Sequence, residues 1–133
     1  MSIFRNRKGG EESLFFIAGP CVIESRDNAL RTADTLAEMA SALGVLLVYK
    51  SSFDKGNRSS GESFRGPGLD TGLKILEEVR SETGLPVLTD VHTPEQAALA
   101  GDIVDMLQTP AFLCRQTDLI VAAAGTGLPV NIK

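Results

Sequence analysis

Val45-Leu-Leu-Val-Tyr-Lys-Ser-Ser-Phe-Asp-Lys-Gly-Asn-Arg-Ser-Ser60 is the stretch of sequence that decides the fold. Residues 45–49 are an apolar run typical of a strand that is buried on both faces of a parallel sheet. The run continues directly into residues 50–60, which hold two lysines, an arginine and four serines. Ligands of α/β proteins collect at the carboxyl ends of strands, and these side chains suit phosphate and carboxylate groups. We therefore predict an anion site here; the alternative is a solvated, charged surface loop.

The composition of the 133 residues, 43% hydrophobic and 23% charged, suits one globular domain. A net charge of −4 argues against nucleic acid or an anionic membrane as the main partner. No apolar run approaches the roughly 18–20 residues that span a bilayer, and the first dozen residues lack the apolar region of a signal peptide. Cys21 and Cys114 lie far apart and form no C-x-x-C pair; they could form one disulfide, but we expect a cytoplasmic protein and therefore free thiols.

Strands and helices are predicted to alternate along the chain. Apolar runs predict strands at 14–18, 45–49, 86–90, 103–107 and 128–132. Helical spacing and capping residues predict helices that begin after Ser25, near Leu69, at Thr93 and near 115. Gly44 and Gly84 are expected to end the first two helices. This order implies right-handed crossovers and a parallel sheet.

Two α/β architectures fit five strands and four helices in this order. One is a (β/α)8 TIM barrel, of which residues 14–133 would form the N-terminal half after an arm at 1–13. The other is an open, doubly wound sheet, which is weakened because no Gly-x-Gly-x-x-Gly or P-loop pattern follows the first strand. Complete barrels need about 250 residues, so the barrel interpretation implies a longer protein.

Polar side chains follow each predicted strand. They are Cys21 and Glu24 after the first strand, Lys50, Lys55, Asn57, Arg58 and Ser59 after the second, Asp90 and His92 after the third, Gln108 and Arg115 after the fourth, and Asn131 and Lys133 at the fifth. Together they describe half a ring of residues on the catalytic face of a barrel. Individually, Cys21 could be a buried packing residue, Asp90 and His92 could cap the next helix, and Gln108 could bond to backbone.

Five segments resemble the 3-deoxy-D-manno-octulosonate 8-phosphate synthases. They are Ile17-Ala-Gly-Pro-Cys-Val-Ile-Glu-Ser25, Lys50–Ser60, Phe64-Arg-Gly-Pro-Gly68, Thr89-Asp-Val-His92 and Gln108-Thr-Pro-Ala-Phe-Leu-Cys-Arg-Gln-Thr-Asp118. The resemblance covers about residues 14–133. The segment Lys50–Ser60 separates these enzymes from the related 3-deoxy-D-arabino-heptulosonate 7-phosphate synthases, which share the barrel and the Ala-Gly-Pro-Cys opening and remain the alternative.

The resemblance implies that phosphoenolpyruvate is condensed with arabinose 5-phosphate, with release of phosphate, in lipopolysaccharide precursor synthesis. It assigns Lys50, Lys55 and Gln108 to the phosphoenolpyruvate carboxylate, Lys133 and the Ala111 backbone to its phosphate, and Asn57, Arg58, Ser59, Asp90 and His92 to the sugar. Lys55, Asn57 and Asp90 are the expected catalytic residues. Arg115 is expected to reach the sugar phosphate across a subunit interface of a homotetramer.

Cys21 carries a further implication of the resemblance. Synthases with cysteine in Gly-Pro-Cys resemble the metal-dependent class, in which the thiolate is one ligand of a divalent metal such as zinc, iron, manganese or cobalt. The other ligands are expected outside this chain, so residues 1–133 alone are expected to be inactive. Two other interpretations stay open at this point: a stand-alone phosphate-binding domain of flavodoxin-like topology, and a non-catalytic interaction fragment.

Overall fold

A computed structural model describes residues 14–56 and 62–133. The arm predicted at 1–13 and the predicted site residues Asn57, Arg58 and Ser59 lie outside these residues. The described strands are β1 (Phe15–Ala18), β2 (Leu46–Lys50), β3 (Val87–Asp90), β4 (Met106–Thr109) and β5 (Val130–Ile132). The helices are α1 (Arg26–Leu43), α2 (Leu69–Thr83), α3 (Pro94–Gly101) and α4 (Thr117–Gly125), and a 3₁₀ turn at Ala111–Leu113 precedes α4.

The five strands form one parallel sheet in the order β1-β2-β3-β4-β5. Each strand therefore pairs with its neighbour along the sequence, and one helix lies in each connection. A doubly wound sheet would instead reverse its strand order at a switch point. The prediction of five strands and four helices of a (β/α) barrel is confirmed, and the flavodoxin-like topology is wrong.

The predicted helix ends are confirmed in detail. Ser25 accepts a hydrogen bond from the backbone N–H of Asn28 at 3.2 Å and caps α1, and Thr93 caps α3 in the same way through Gln96. Gly44 and Gly84 end α1 and α2 in the left-handed conformation that favours glycine. The cap of α3 is thus Thr93, and neither Asp90 nor His92 serves that purpose.

The predicted start of the fourth strand is wrong. Ile103 and Val104 were placed in the strand, but their N–H groups bond to the carbonyl of Ala100 and so complete the turn that ends α3. Val104 is buried at 3% exposure, and a buried turn has the same apolar composition as a strand. Since β4 is Met106–Thr109, Gln108 lies within the strand and does not follow it.

Alternate residues of each strand face two different apolar layers. Tyr49, Val87 and Leu107 pack in the large core between the sheet and the helices, while Val48 and Leu88 belong to a small cluster on the opposite face. That opposite face is the interior of the barrel. Among residues 14–56 and 62–133, no helix is both long and apolar enough to cross a membrane.

Candidate active site

Three polar side chains form a row across the interior face of the sheet. Asp90 of β3 is in register with Gln108 of β4, and Gln108 is in register with Asn131 of β5. Leu88 and Met106, two residues before Asp90 and Gln108, belong to the small interior cluster. Because side chains alternate along a strand, the row lies on the same interior face, one layer nearer the carboxyl ends.

Hydrogen bonds connect the members of this row and link it to the segment that follows β2. Asn131 Nδ2 donates to Gln108 Oε1 at 2.7 Å, Gln108 Nε2 donates to Asp90 Oδ1, and Ser52 Oγ donates to Asp90 Oδ2 at 2.7 Å. Because the Asp90 carboxylate only accepts hydrogen bonds, the nitrogen end of the Gln108 amide faces it and the oxygen end accepts from Asn131. An amide nitrogen has two hydrogens, so Gln108 keeps one donor for a ligand.

Ser52 joins both lysines to Asp90. Its hydroxyl accepts from Lys50 Nζ at 3.1 Å and from Lys55 Nζ at 2.8 Å while it donates to Asp90. These three bonds use its one donor and both acceptor positions. Lys50 also donates to the carbonyl of Cys21 at 3.3 Å, and Lys55 donates to Asp90 Oδ2 at 3.3 Å. Lys50 therefore retains one N–H for an anion, while Lys55 also interacts with the side chain of Cys21.

The half-buried Lys50 and the buried Lys55 share one buried carboxylate, that of Asp90, which leaves an excess of positive charge in this cluster. Burial is the main cause that lowers the pKa of Lys50, to about 8. The attraction of Asp90 opposes this shift, and repulsion from Lys55 adds to it. For Asp90, burial favours the neutral form, but Lys50, Ser52 and Lys55 outweigh it and lower the pKa of the carboxyl. Burial also opposes the charge of Lys55, yet Asp90 and hydrogen bonds raise its pKa. At neutral pH the cluster is therefore cationic overall.

A pocket of about 210 Å³ opens over this cluster. Its lining contains seven of the predicted site residues: Cys21, Lys50, Lys55, Asp90, Gln108, Ala111 and Lys133. They come from the ends of all five strands or the segments that follow them. Among the described residues that line it, three are lysines and Asp90 alone carries a side-chain carboxylate. An anion with two charged groups is the ligand that this arrangement suits best.

Two other predicted residues, His92 and Arg115, lie outside the lining of this pocket. The backbone N–H of His92 donates to Gln96 Oε1 at 2.9 Å, and its ring lies edge-on to Phe53 and against Gly56. Arg115 is exposed just before α4. Neither residue lines the pocket, and both assignments to the sugar stay predictions.

Ser52 is the polar residue of this cluster that the predicted half ring did not include, and Asn131 belonged to the half ring without an assigned role. Both were visible as polar residues near strand ends, and Ser52 follows Lys50 by two residues, the spacing that puts two side chains on one side of an extended segment. The bonds that make Ser52 central cross to β3, however, and a single sequence does not reveal them.

Both cysteines are free thiols, as predicted. Cys21 is exposed at the pocket, whereas Cys114 is half-buried near the 3₁₀ turn. Within residues 14–56 and 62–133, no three side chains of histidine, cysteine, aspartate or glutamate cluster closely enough to hold a metal ion. A metal at Cys21 therefore requires ligands other than the described residues.

Comparison with known proteins agrees with this geometry. Residues 3–133 match the family model described as the DAHP synthetase I family. The 2-dehydro-3-deoxyphosphooctonate aldolases of Laribacter hongkongensis and Bordetella bronchiseptica are 62% and 63% identical to this chain over 125 residues. The protein of the same name from Acidithiobacillus ferrooxidans is 59% identical. Each alignment covers 94% of this chain but only 44% of the relative, so the chain spans less than half the length of these proteins.

Proposed function

Because this chain belongs to the DAHP synthetase I family, we propose that the full-length protein condenses phosphoenolpyruvate with arabinose 5-phosphate. The product would be 3-deoxy-D-manno-octulosonate 8-phosphate, with inorganic phosphate released. The observation that carries the proposal is the convergence of Lys50, Lys55, Gln108 and Lys133 on one pocket. Phosphoenolpyruvate has a carboxylate at one end and a phosphate beside it, which matches cations placed around a small cavity.

The cluster suggests a role for each residue. Lys50, Lys55 and the free N–H of Gln108 would bind the carboxylate, and Lys133 with the Ala111 backbone would bind the phosphate. In the reaction, C3 of phosphoenolpyruvate bonds to the aldehyde carbon of the sugar, whose oxygen takes up a proton. Water adds at C2, and the resulting intermediate loses phosphate.

Placement and charge supply the catalysis in this proposal. Two anions repel each other in water, and a preorganised cationic site removes that barrier. Holding C3 against the aldehyde makes the bond-forming step effectively unimolecular. Lys55, buried and bonded to Asp90 and Ser52, would hold the carboxylate and so place C3 against the aldehyde carbon.

The test of the proposal is the choice of aldehyde. An eight-carbon product requires a five-carbon sugar, whereas the seven-carbon product of the alternative synthase requires erythrose 4-phosphate. We expect the full-length protein to release phosphate from phosphoenolpyruvate with arabinose 5-phosphate, and at least a hundredfold less efficiently with erythrose 4-phosphate. The reverse preference would establish the alternative, and no turnover with either sugar would exclude both.

The pKa of Lys50 makes phosphoenolpyruvate binding depend on pH. The ammonium loses its proton as the pH rises through about 8, so one cationic contact weakens. A contact with a charged group contributes about 1.5–3 kcal/mol, which corresponds to roughly ten- to a hundredfold in affinity. We expect the Kd to rise by this factor between pH 7 and pH 9.5, as measured by calorimetry. In Lys50→Arg, which stays charged, the rise should be absent; an equal rise would show that another group is responsible.

We also propose that Cys21 is one ligand of a divalent metal, with the other ligands supplied from outside the described residues. Its support is the exposed thiol at the pocket and the Gly-Pro-Cys motif. A soft thiolate suits zinc, iron or cobalt, and such a metal would act as a Lewis acid at the sugar aldehyde.

Chelation of the full-length protein should abolish condensation if this assignment is right. Added divalent metal should restore activity, and metal analysis should find about one equivalent in the wild type and less than a tenth of that in Cys21→Ala. Cys114→Ala, which removes the thiol away from the pocket, is the matched control and should keep its metal. Full activity after exhaustive chelation would contradict the metal assignment and leave the synthase proposal intact.

Two further expectations stay predictions: that the full-length protein is a cytoplasmic homotetramer, and that Arg115 binds the sugar phosphate of a neighbouring subunit. The exposure of Arg115 at the start of α4 leaves it accessible to such a contact.

A further inference from the structure

Lys55 lies five residues beyond β2, so the sheet does not hold it directly. Its backbone is held by the segment that precedes α2. The N–H of Lys55 donates to the carbonyl of Arg65 at 2.8 Å, and the N–H of Gly68 donates to the carbonyl of Phe53 at 3.1 Å. Residues 53–55 are thereby tied to residues 65–68.

The side chain of Arg65 adds a second connection. Its Nε donates to Asp54 Oδ1 at 2.8 Å and its Nη2 donates to Asp54 Oδ2 at 2.7 Å. A guanidinium that makes two parallel bonds fixes the direction of the carboxylate as well as its distance. Arg65 thus holds Asp54 through its side chain and the adjacent Lys55 through its carbonyl.

The support beneath this connection is tightly packed. Phe53 is fully buried, and a Cβ atom added to Gly66 would lie 2.3 Å from the Phe53 carbonyl oxygen. A Cβ atom added to Gly72 would lie 2.3 Å from Phe53 Cβ. Phe53 therefore has a fixed position, and the orientation of the next two residues depends on the contacts of Arg65.

We propose that the Asp54–Arg65 pair is a positioning device that holds the Lys55 ammonium against Ser52 and Asp90. The proposal rests on the proposed function, since it assigns to this pair the placement of a group that binds phosphoenolpyruvate. The Arg65 side chain is 55% accessible and that of Asp54 is 23% accessible, and ion pairs open to solvent contribute little to overall stability. Its effect should therefore appear in the position of Lys55 and not in folding.

The chain provides a matched control. Arg26 also makes two hydrogen bonds to a carboxylate, that of Glu78, and its side chain is 54% accessible. That pair joins α1 to α2, and neither residue lines the pocket. Arg26→Ala removes a two-bond arginine–carboxylate pair at nearly the same exposure, together with a bond to Asp27, without touching the support of Lys55.

The experiment compares Arg65→Ala, Asp54→Asn, the double variant and Arg26→Ala in the full-length protein. We expect Arg65→Ala to lower kcat/KM for phosphoenolpyruvate about ten- to a hundredfold, because small displacements of a catalytic group have large effects. The double variant should lower kcat/KM no further than Arg65→Ala alone, because the single substitution already breaks the ion pair between Asp54 and Arg65. Free guanidinium should restore part of the activity of Arg65→Ala, and Arg26→Ala should behave as the wild type. The Tm should change little in all four.

An NMR titration of the lysine Cε signals separates this proposal from the proposed function. In Arg65→Ala the pKa of Lys55 should fall towards the ordinary lysine value, because the ammonium moves away from Asp90. This change is expected whatever the substrate is. An unchanged Lys55 pKa, or a loss of activity that follows the Tm and is not rescued by guanidinium, would overturn the positioning role. A wild type that does not use phosphoenolpyruvate would overturn the proposed function alone.

Discussion

Asp90→Asn in the full-length protein is expected to lower kcat/KM for phosphoenolpyruvate by at least a hundredfold. Asp90 is the shared partner of Lys50 and Lys55, and its charge raises the pKa of Lys50. Removing one member of a buried ion pair leaves an uncompensated charge, at a cost of about 3–5 kcal/mol. The protein lowers this cost by releasing a proton, so the pKa of Lys50 should fall below its wild-type value of about 8, and Lys50 should lose its charge, and its hold on an anion, at a lower pH.

The pH dependence distinguishes this explanation from general damage to the site. In Asp90→Asn, the pH at which phosphoenolpyruvate affinity is half lost should move to a value below that of the wild type. Asp105→Asn is the matched control, because Asp105 bonds to the Val87 backbone at the opposite end of β3 and does not line the pocket. A wild-type pH profile in Asp90→Asn would show that Asp90 does not control the charge of Lys50.

Lys55→Met should produce a pH shift of the opposite sign. The charge of Lys55 lowers the pKa of Lys50, so its removal should keep Lys50 protonated to higher pH. Affinity for phosphoenolpyruvate should still fall roughly ten- to a hundredfold, the equivalent of one charged contact of about 1.5–3 kcal/mol. Calorimetry across pH 6–10 measures both effects.

The control for this variant is Lys74→Met, which removes an exposed lysine of α2. It changes the net charge equally and should leave affinity and its pH profile unaltered. If Lys55→Met and Lys74→Met weaken binding to the same small extent, then long-range charge, and not a direct contact, attracts the anion.

Much of the fold could be predicted because its signals are local. The apolar run at 45–49 precedes Lys50, and Ser25, Gly44, Thr93 and Gly84 act at helix ends through bonds to residues a few positions away. The start of β4 could not be predicted, since the buried turn at 103–104 and a strand look alike in composition.

The site was predictable only in part for a similar reason. Strand ends indicated which residues meet at one face, and seven of them line one pocket. The bonds from Asn131 through Gln108 to Asp90, however, depend on the register between three strands that are distant in sequence. The pKa of Lys50 likewise depends on burial and on two partners that only the folded chain brings together.

The central claim is that the pocket over Lys50, Lys55 and Asp90 holds phosphoenolpyruvate. A crystal structure of the full-length protein soaked with phosphoenolpyruvate tests it most directly. We expect the carboxylate within hydrogen-bond distance of the Lys50 and Lys55 ammonium groups and the phosphate beside Lys133. Phosphoenolpyruvate bound at another place, with this pocket filled only by water, would contradict the account.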